Sequence, residues 1–242
     1  MSILTTLAAT SLILTPQSQD IKNYVQSGFR DAQFTVKTGA HSISELSKIN
    51  KDFTNSYRVS SSQVWLKEPF KLRMVSTIQG EAVTFIVNGG IKWTRVPRSN
   101  LNVKMDVSKK PGMRQTGFDF GLLTPAMLTT LFQADFVRMD RATGDAVFDL
   151  TYYASLKDTS RYRIWIDPEQ KRITKKEWYA QKGRQGGRLM ATIFYEKPVT
   201  QNGATLATQV SVNNADNKRA GTVSYENVKI NAGVADDLFK VN

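Results

Sequence analysis

The chain has no cysteine and only one histidine, His41, among its 242 residues. The first absence excludes disulfides, thiolate nucleophiles, cysteine metal sites and anchoring through an acylated cysteine. His41 stands in a Gly-Ala-His-Ser context with no acidic residue beside it at a metal-ligand spacing, so it reads as a solvent-exposed or capping residue. No metal site, catalytic residue or cofactor is expected. The chain also lacks a G-x-S-x-G elbow, a phosphate loop and a dinucleotide fingerprint; Gly183-Arg-Gln-Gly-Gly187 has the wrong spacing and reads as a hairpin. A hydrolase built from residues that meet only on folding would announce itself by loss of activity in His41→Ala.

Long apolar runs are missing as well. The run Ile3-Leu-Thr-Thr-Leu-Ala-Ala-Thr-Ser-Leu-Ile-Leu14 would make a helix of about 18 Å, against a hydrocarbon core of about 30 Å, so it is too short to span a bilayer. With the polar break at Pro16, residues 1–18 read as a signal peptide that sends the rest to the periplasm without a lipid anchor. No Lys or Arg precedes the run and no A-x-A site precedes Gln17, which leaves a misassigned start or an N-terminal core segment as alternatives. No Pro-, Ser- or Gly-rich linker divides the remainder of the chain, so residues 19–242 are expected to form one domain.

What is present is positive charge: the net charge is +12, and no charged side chain precedes Asp20. Such a surface attracts nucleic acid, anionic headgroups and acidic proteins alike. Lys171, Arg172, Lys175 and Lys176 are read as a solvated sheet face. Aromatic and basic residues interleave in Arg161-Tyr-Arg-Ile-Trp165 and Lys175-Lys-Glu-Trp-Tyr179. Antiparallel strands of any basic protein share that texture, and an exported chain does not meet nucleic acid. Peripheral contact with an anionic membrane is the expectation.

Along the chain, Asp20 can cap a helix in which Ile21, Tyr24, Val25, Phe29 and Ala32 form one stripe; residues 36–47 fit either its continuation or a first strand. From about Tyr57 the pattern is short runs of β-branched and aromatic residues broken by turns. Leu72, Met74 and Ile78 alternate with Lys71 and Arg73; Gln79-Gly80 turns the chain, and Val83, Phe85 and Val87 share a face before Asn88-Gly89-Gly90. Later strands alternate through Ala146, Phe148, Leu150 and Tyr152, then Tyr162, Ile164 and Ile166, then Leu189 to Tyr195 and Leu206 to Val212. A change of phase between Tyr225 and Val228 predicts a bulge near Glu226-Asn227. After the polar, basic stretch between Arg98 and Phe120, Thr124-Pro125 reads as an N-cap and first helical position. The helix that begins there carries Ala126, Met127, Leu128, Leu131 and Phe132 and has almost no polar face. It is either a core helix plugging the sheet or a lid over a cavity.

The order of these pieces resembles the LolA-like periplasmic lipoprotein carriers and related lipid-binding domains. Leu66-Lys-Glu-Pro-Phe-Lys-Leu-Arg-Met74 is similar to that superfamily's strand pair around a Lys-x-Pro turn, and Phe85-Ile-Val-Asn-Gly-Gly-Ile-Lys-Trp93 to its hairpin. Trp165-Ile-Asp-Pro168 resembles its Trp-x-Asp-Pro turn, and Tyr225 to Phe239 its closing strand with an Asp-x-Leu-Phe segment. In the carriers an arginine precedes the proline of the first turn and helps hold the lid; here that position is Glu68, and the role does not transfer to Lys67 or Arg73.

The resemblance implies a mainly β protein with helices (α+β): an unclosed, curved antiparallel half-barrel whose concave face the helices cover. It implies a non-enzymatic carrier that binds the acyl chains of lipoproteins or lipids for transfer across the envelope, with donor and acceptor proteins as partners. The alternative is an envelope sensor or scaffold using the same half-barrel to bind proteins. Leu72, Met74, Phe85, Val87 and Phe148 are the expected cavity lining, and Met127, Leu128, Leu131 and Phe132 the expected lid.

Overall fold

In a computed structural model, the described residues are 19–78, 80–181 and 187–241. The signal-peptide reading of residues 1–18 therefore lies outside them, as do Gln79 of the expected turn and the core of the 183–187 hairpin. Thirteen strands form one sheet: β1 (Asp31–His41), β2 (Ser61–Lys67), β3 (Lys71–Ile78), β4 (Glu81–Asn88), β5 (Ile91–Val96), β6 (Leu101–Asp106), β7 (Phe132–Met139), β8 (Ala146–Tyr152), β9 (Arg161–Asp167), β10 (Arg172–Tyr179), β11 (Leu189–Gln201), β12 (Ala204–Asn214) and β13 (Arg219–Ile230). Every pairing is antiparallel, in the order β6-β5-β4-β3-β2-β1-β13-β12-β11-β10-β9-β8-β7. The sheet does not close: β6 and β7 are its two free edges. This is the expected unclosed, curved half-barrel.

Short hairpins link most neighbours, as antiparallel pairing allows. The exceptions position everything else. The α-helices α1 (Ile43–Ile49) and α2 (Lys51–Ser56) join β1 to β2, and residues 107–131 run from one free edge to the other, carrying α3 (Pro125–Thr130). Both insertions turn apolar side chains toward the same face of the sheet. Leu46 and Ile49, with Leu122, Leu123 and Met127, join one continuous core with Phe34, Leu72, Phe148, Ile164 and Tyr225 of the strands.

The opposite, convex face carries a second, smaller core. Ile86, Trp93, Val234 and Phe239 are buried together, with Trp65 and Leu238 packed against them. The 3-10 turn Asp236–Phe239 is clamped there by ion pairs from Lys67 and Lys71 to Asp236 (3.1 and 2.6 Å), and by Arg73 donating to the Leu238 carbonyl at 3.0 Å. Lys67 and Arg73 thus fasten the C-terminal segment on the side away from the concave face.

Four sequence expectations change. The helix expected from Asp20 shrinks to the 3-10 turn Ile21–Tyr24, because β1 claims the chain from Asp31; the apolar stripe is nonetheless buried, in an irregular segment rather than a helix. Residues 36–47 divide between β1 and α1. Ile78 leaves the core at the end of β3 and is 39% exposed. Lys176 does not lie on a solvated face: β10 contains a bulge between Ile173 and Lys175, which turns Lys175 outward over Trp165 and Lys176 into the core. The bulge expected near Glu226-Asn227 is present, with Asn227 at φ 54°.

Truncating a fully buried Phe leaves a cavity that costs about 3–5 kcal/mol. Phe239→Ala is therefore expected to lower the urea midpoint by the equivalent of about 3 kcal/mol with an unchanged m-value, which urea denaturation checks.

Candidate functional site

The concave face is where the predicted site residues meet. Leu72 (β3), Val87 (β4) and Phe148 (β8) are buried in the main core, and Met74 and Phe85 are packed against it. Met127, Leu128 and Leu131 approach from the opposite side, out of residues 107–131. Phe132 does not belong with them. It opens the edge strand β7, so it is part of the wall, in ring contact with Phe118 at 4.9 Å and Tyr152 at 4.9 Å.

Residues 107–131 form a strap whose two ends are fixed at the free edges of the sheet. Its first half holds the 3-10 turns Pro111–Met113 and Gly117–Phe120; Thr116 and Asp119 close the second in a capping box. Gly121 comes next at φ 84°, and a Cβ there would sit 2.6 Å from the Tyr195 ring, so only glycine brings the strap this close to β11. Phe120 then lies edge-on to Phe34 at 5.4 Å. Pro125 starts α3, but the Thr124 side chain makes no capping bond.

The Thr124 hydroxyl instead donates to Glu68 Oε2 at 2.9 Å. Glu68 stands in the turn between β2 and β3, the position for which the resemblance implied an arginine that holds the lid. Here an acceptor replaces that donor, and the first turn of the helix supplies the hydrogen. Burial pushes the Glu68 carboxyl above the usual carboxylate range, and the Thr124 hydrogen bond offsets part of that. Four further polar contacts hold the strap between its ends. Leu123 O accepts from the Gln26 N–H at 2.9 Å, Leu128 O from the Tyr153 hydroxyl at 2.6 Å, Phe118 O from Lys176 Nζ at 2.9 Å, and Asp119 O from the Tyr195 hydroxyl at 3.4 Å.

Lys176 is the member that sequence reasoning missed. It is 5% exposed, and its ammonium lies 4.3 Å from the Phe118 ring centroid, 5.6 Å from Tyr195 and 5.9 Å from Tyr162. Desolvation pushes its pKa down to about 8, with Asp119 acting in the opposite direction. The signal was present but weak: Trp178, two residues on, shares its inward phase, and only the bulge reveals which of two adjacent lysines follows it.

Other candidate groups are engaged elsewhere. His41 is exposed, with Nδ1 3.0 Å from Gly39 O. Among the described residues no cluster of three or more acidic or histidine side chains could hold a metal ion, and no helix is long and apolar enough to cross a membrane. Arg163 grips Asp149 through two hydrogen bonds of 2.7 and 2.9 Å, and Arg161 stacks on Tyr179 at 3.8 Å, so the mixed basic and aromatic strands satisfy one another. Two surface hollows, of about 580 and 450 Å³, lie at residues 138–142 and between Gln26 and Lys171; neither includes a predicted site residue.

An open antiparallel half-barrel with an apolar concave face under a strap defines a class of fold. This fold is shared with solved structures that include a LolA superfamily protein. The chain is similar to a LolA superfamily protein from Nitrosomonas europaea, with 16% identity and a TM-score of 0.57 over 92% of this chain and 95% of that one. It is similar to a putative outer membrane lipoprotein-sorting protein domain from Vibrio parahaemolyticus, with 11% identity and a TM-score of 0.60 over 91% and 93% of the two chains. A DUF1329 family protein from Desulfovibrio piger gives 13% identity and a TM-score of 0.60 over 91% and 92%. A family model described as an uncharacterized protein matches residues 126–242. No curated protein matches the chain.

Glu68→Gln tests the hold on the strap. A carboxyl whose folded pKa is raised binds its proton more tightly when folded. The stability it lends is complete at low pH and is lost as pH rises from its ordinary value near 4.5 through the raised one. Glutamine keeps a partner for Thr124 without the charge. The Tm of Glu68→Gln is therefore expected to exceed that of the wild type at pH 7, with the difference closing as the pH is lowered through that window. Thermal melts across a pH series check this.

Proposed function

We propose that the chain is a non-enzymatic, exported carrier in the periplasm that takes an acyl chain of a lipoprotein or lipid between the concave face and residues 107–131, and passes it across the cell envelope. The observation that carries this reading is the strap itself. The apolar concave face, built from predicted lining residues Leu72, Val87 and Phe148, is covered by a segment that joins the two unpaired edges. Five polar contacts anchor that segment between its ends.

The energetics favour exchange over permanent closure. Burying a Leu or Met side chain is worth about 1.5–3 kcal/mol, so Leu122, Leu123, Met127, Leu128 and Leu131 together contribute on the order of ten kcal/mol. An acyl chain of about sixteen carbons gains a similar amount, at about 0.8 kcal/mol per methylene. Ligand and strap compete for one apolar face at comparable free energy, which permits both loading and release. The LolA-like fold of the solved neighbours, one of them described as a putative lipoprotein-sorting domain, agrees with this reading. The positive charge suits delivery at anionic membrane surfaces.

The test is saturable, stoichiometric binding of a fluorescent fatty-acid analogue, compared between the wild type and Thr124→Val. A hydrogen bond to a charged partner is worth about 1.5–3 kcal/mol, so losing the Glu68 contact is expected to raise apparent affinity roughly tenfold by freeing the strap. Absence of saturable binding in both proteins rejects the carrier reading.

A further inference from the structure

Lys176 is a buried cation with an incomplete set of partners. Its ammonium has three hydrogens to donate, and among the described residues its one acceptor is the carbonyl of Phe118, at 2.9 Å. Among the described residues no carboxylate forms an ion pair with it. Asp119, the acidic group that acts on it through space, directs its carboxylate to the Thr116 N–H at 2.9 Å. The ammonium also lies near the rings of Phe118, Tyr195 and Tyr162.

A charge in such a place is costly, and an apolar residue of similar volume is often neutral or stabilising there. The acceptor, moreover, belongs to the strap and not to the sheet. When the strap lifts, Lys176 stays on β10 and loses its carbonyl. A neutral ligand filling the same space would leave the ammonium without any acceptor. An anionic one would replace an ammonium–carbonyl hydrogen bond by an ion pair, adding charge–charge attraction in a site that water does not reach.

Resting on the carrier reading above, we propose that Lys176 is the head-group anchor of the concave site: it pairs with the carboxylate of a long-chain fatty acid that takes the place of the Phe118 carbonyl. The acyl chain then runs along the apolar floor laid by Phe148, Ile164 and Leu150, which share the face of Lys176. The tyrosine hydroxyls of β8 and β9, 3.2 Å apart, stand at the same aromatic cluster and can donate to the second carboxylate oxygen. The site selects single-chain acids over neutral acyl esters.

Laurate and methyl laurate, titrated below their micelle-forming concentrations against bound Nile red at about pH 7, separate the outcomes. The wild type is expected to bind the acid at least about tenfold more tightly than the ester, and Lys176→Met to lose that preference while keeping its affinity for the ester. Should Lys176→Met fail to fold, the wild type at about pH 9.5 decides. There the lysine, with its pKa of about 8, is largely neutral, while burial keeps Tyr162 and Tyr195 protonated and laurate stays ionised, so the preference must shrink. Equal binding of acid and ester by the wild type overturns the head-group assignment and leaves the carrier reading standing. A preference that survives in Lys176→Met also overturns the assignment. Displacement of Nile red by neither ligand removes the carrier reading and this assignment with it.

Discussion

A curved sheet that stops short of closure exposes one apolar face to water, and covering that face is the constraint on which the remaining features depend. Closing the barrel would have solved it by pairing β6 with β7. The chain instead carries residues 107–131 from one edge to the other, so the cover is tied at both ends to the rims of the surface it covers. A segment held that way can lift in its middle without leaving the protein. The entropy lost on its return is that of a loop with fixed ends, which is smaller than for a free tail.

The two faces of the sheet divide the work between them. On the convex side, the Lys67 and Lys71 ion pairs, the Arg73 contact and the buried Phe239 bind the C-terminal segment to β2, β3 and β4. On the concave side the polar contacts to the strap are few, and two of them involve groups that burial disfavours in their charged forms: Glu68 and Lys176. Of these contacts, the Glu68–Thr124 and Lys176–Phe118 bonds put an ionisable group against a neutral partner, where an ion pair would have bound more firmly. A clamped convex side and a cover held mainly by apolar contacts are what the proposed exchange of cover for ligand requires.

Much of this was legible in the residues. Period-two alternation marked β3, β4, β8, β9, β11 and β12, because strands with one wet and one dry face must write that pattern into the chain. The predicted cavity residues and Met127, Leu128 and Leu131 do converge in one core. Failures arose where tertiary pairing overrode local pattern. The stripe from Ile21 to Ala32 has helical spacing, yet β1, by starting at Asp31, pairs with β2 on one side and β13 on the other, and the stripe is buried as a turn and a loop. Phe132 fits the helical phase of α3, but its backbone pairs with Tyr152. Ile86 reads as the outward residue of β4 until the C-terminal turn arrives to bury it, a contact between segments distant in the chain.

Lys176 illustrates why a site can be harder to read than the fold that holds it. Strict alternation from Ile173 would send Lys175 inward and Lys176 to water; one additional residue at Thr174 reverses the assignment. A single insertion in a strand changes composition and hydropathy little, so the pattern around it still reads as an ordinary solvated face of a basic sheet. Its consequence is nonetheless large, because it carries a cation from a solvated face into an aromatic enclosure beneath the strap. The bulge places a charge where simple apolar packing would have sufficed, and a charge buried against a carbonyl of the strap is the feature on which the proposed exchange of partners turns.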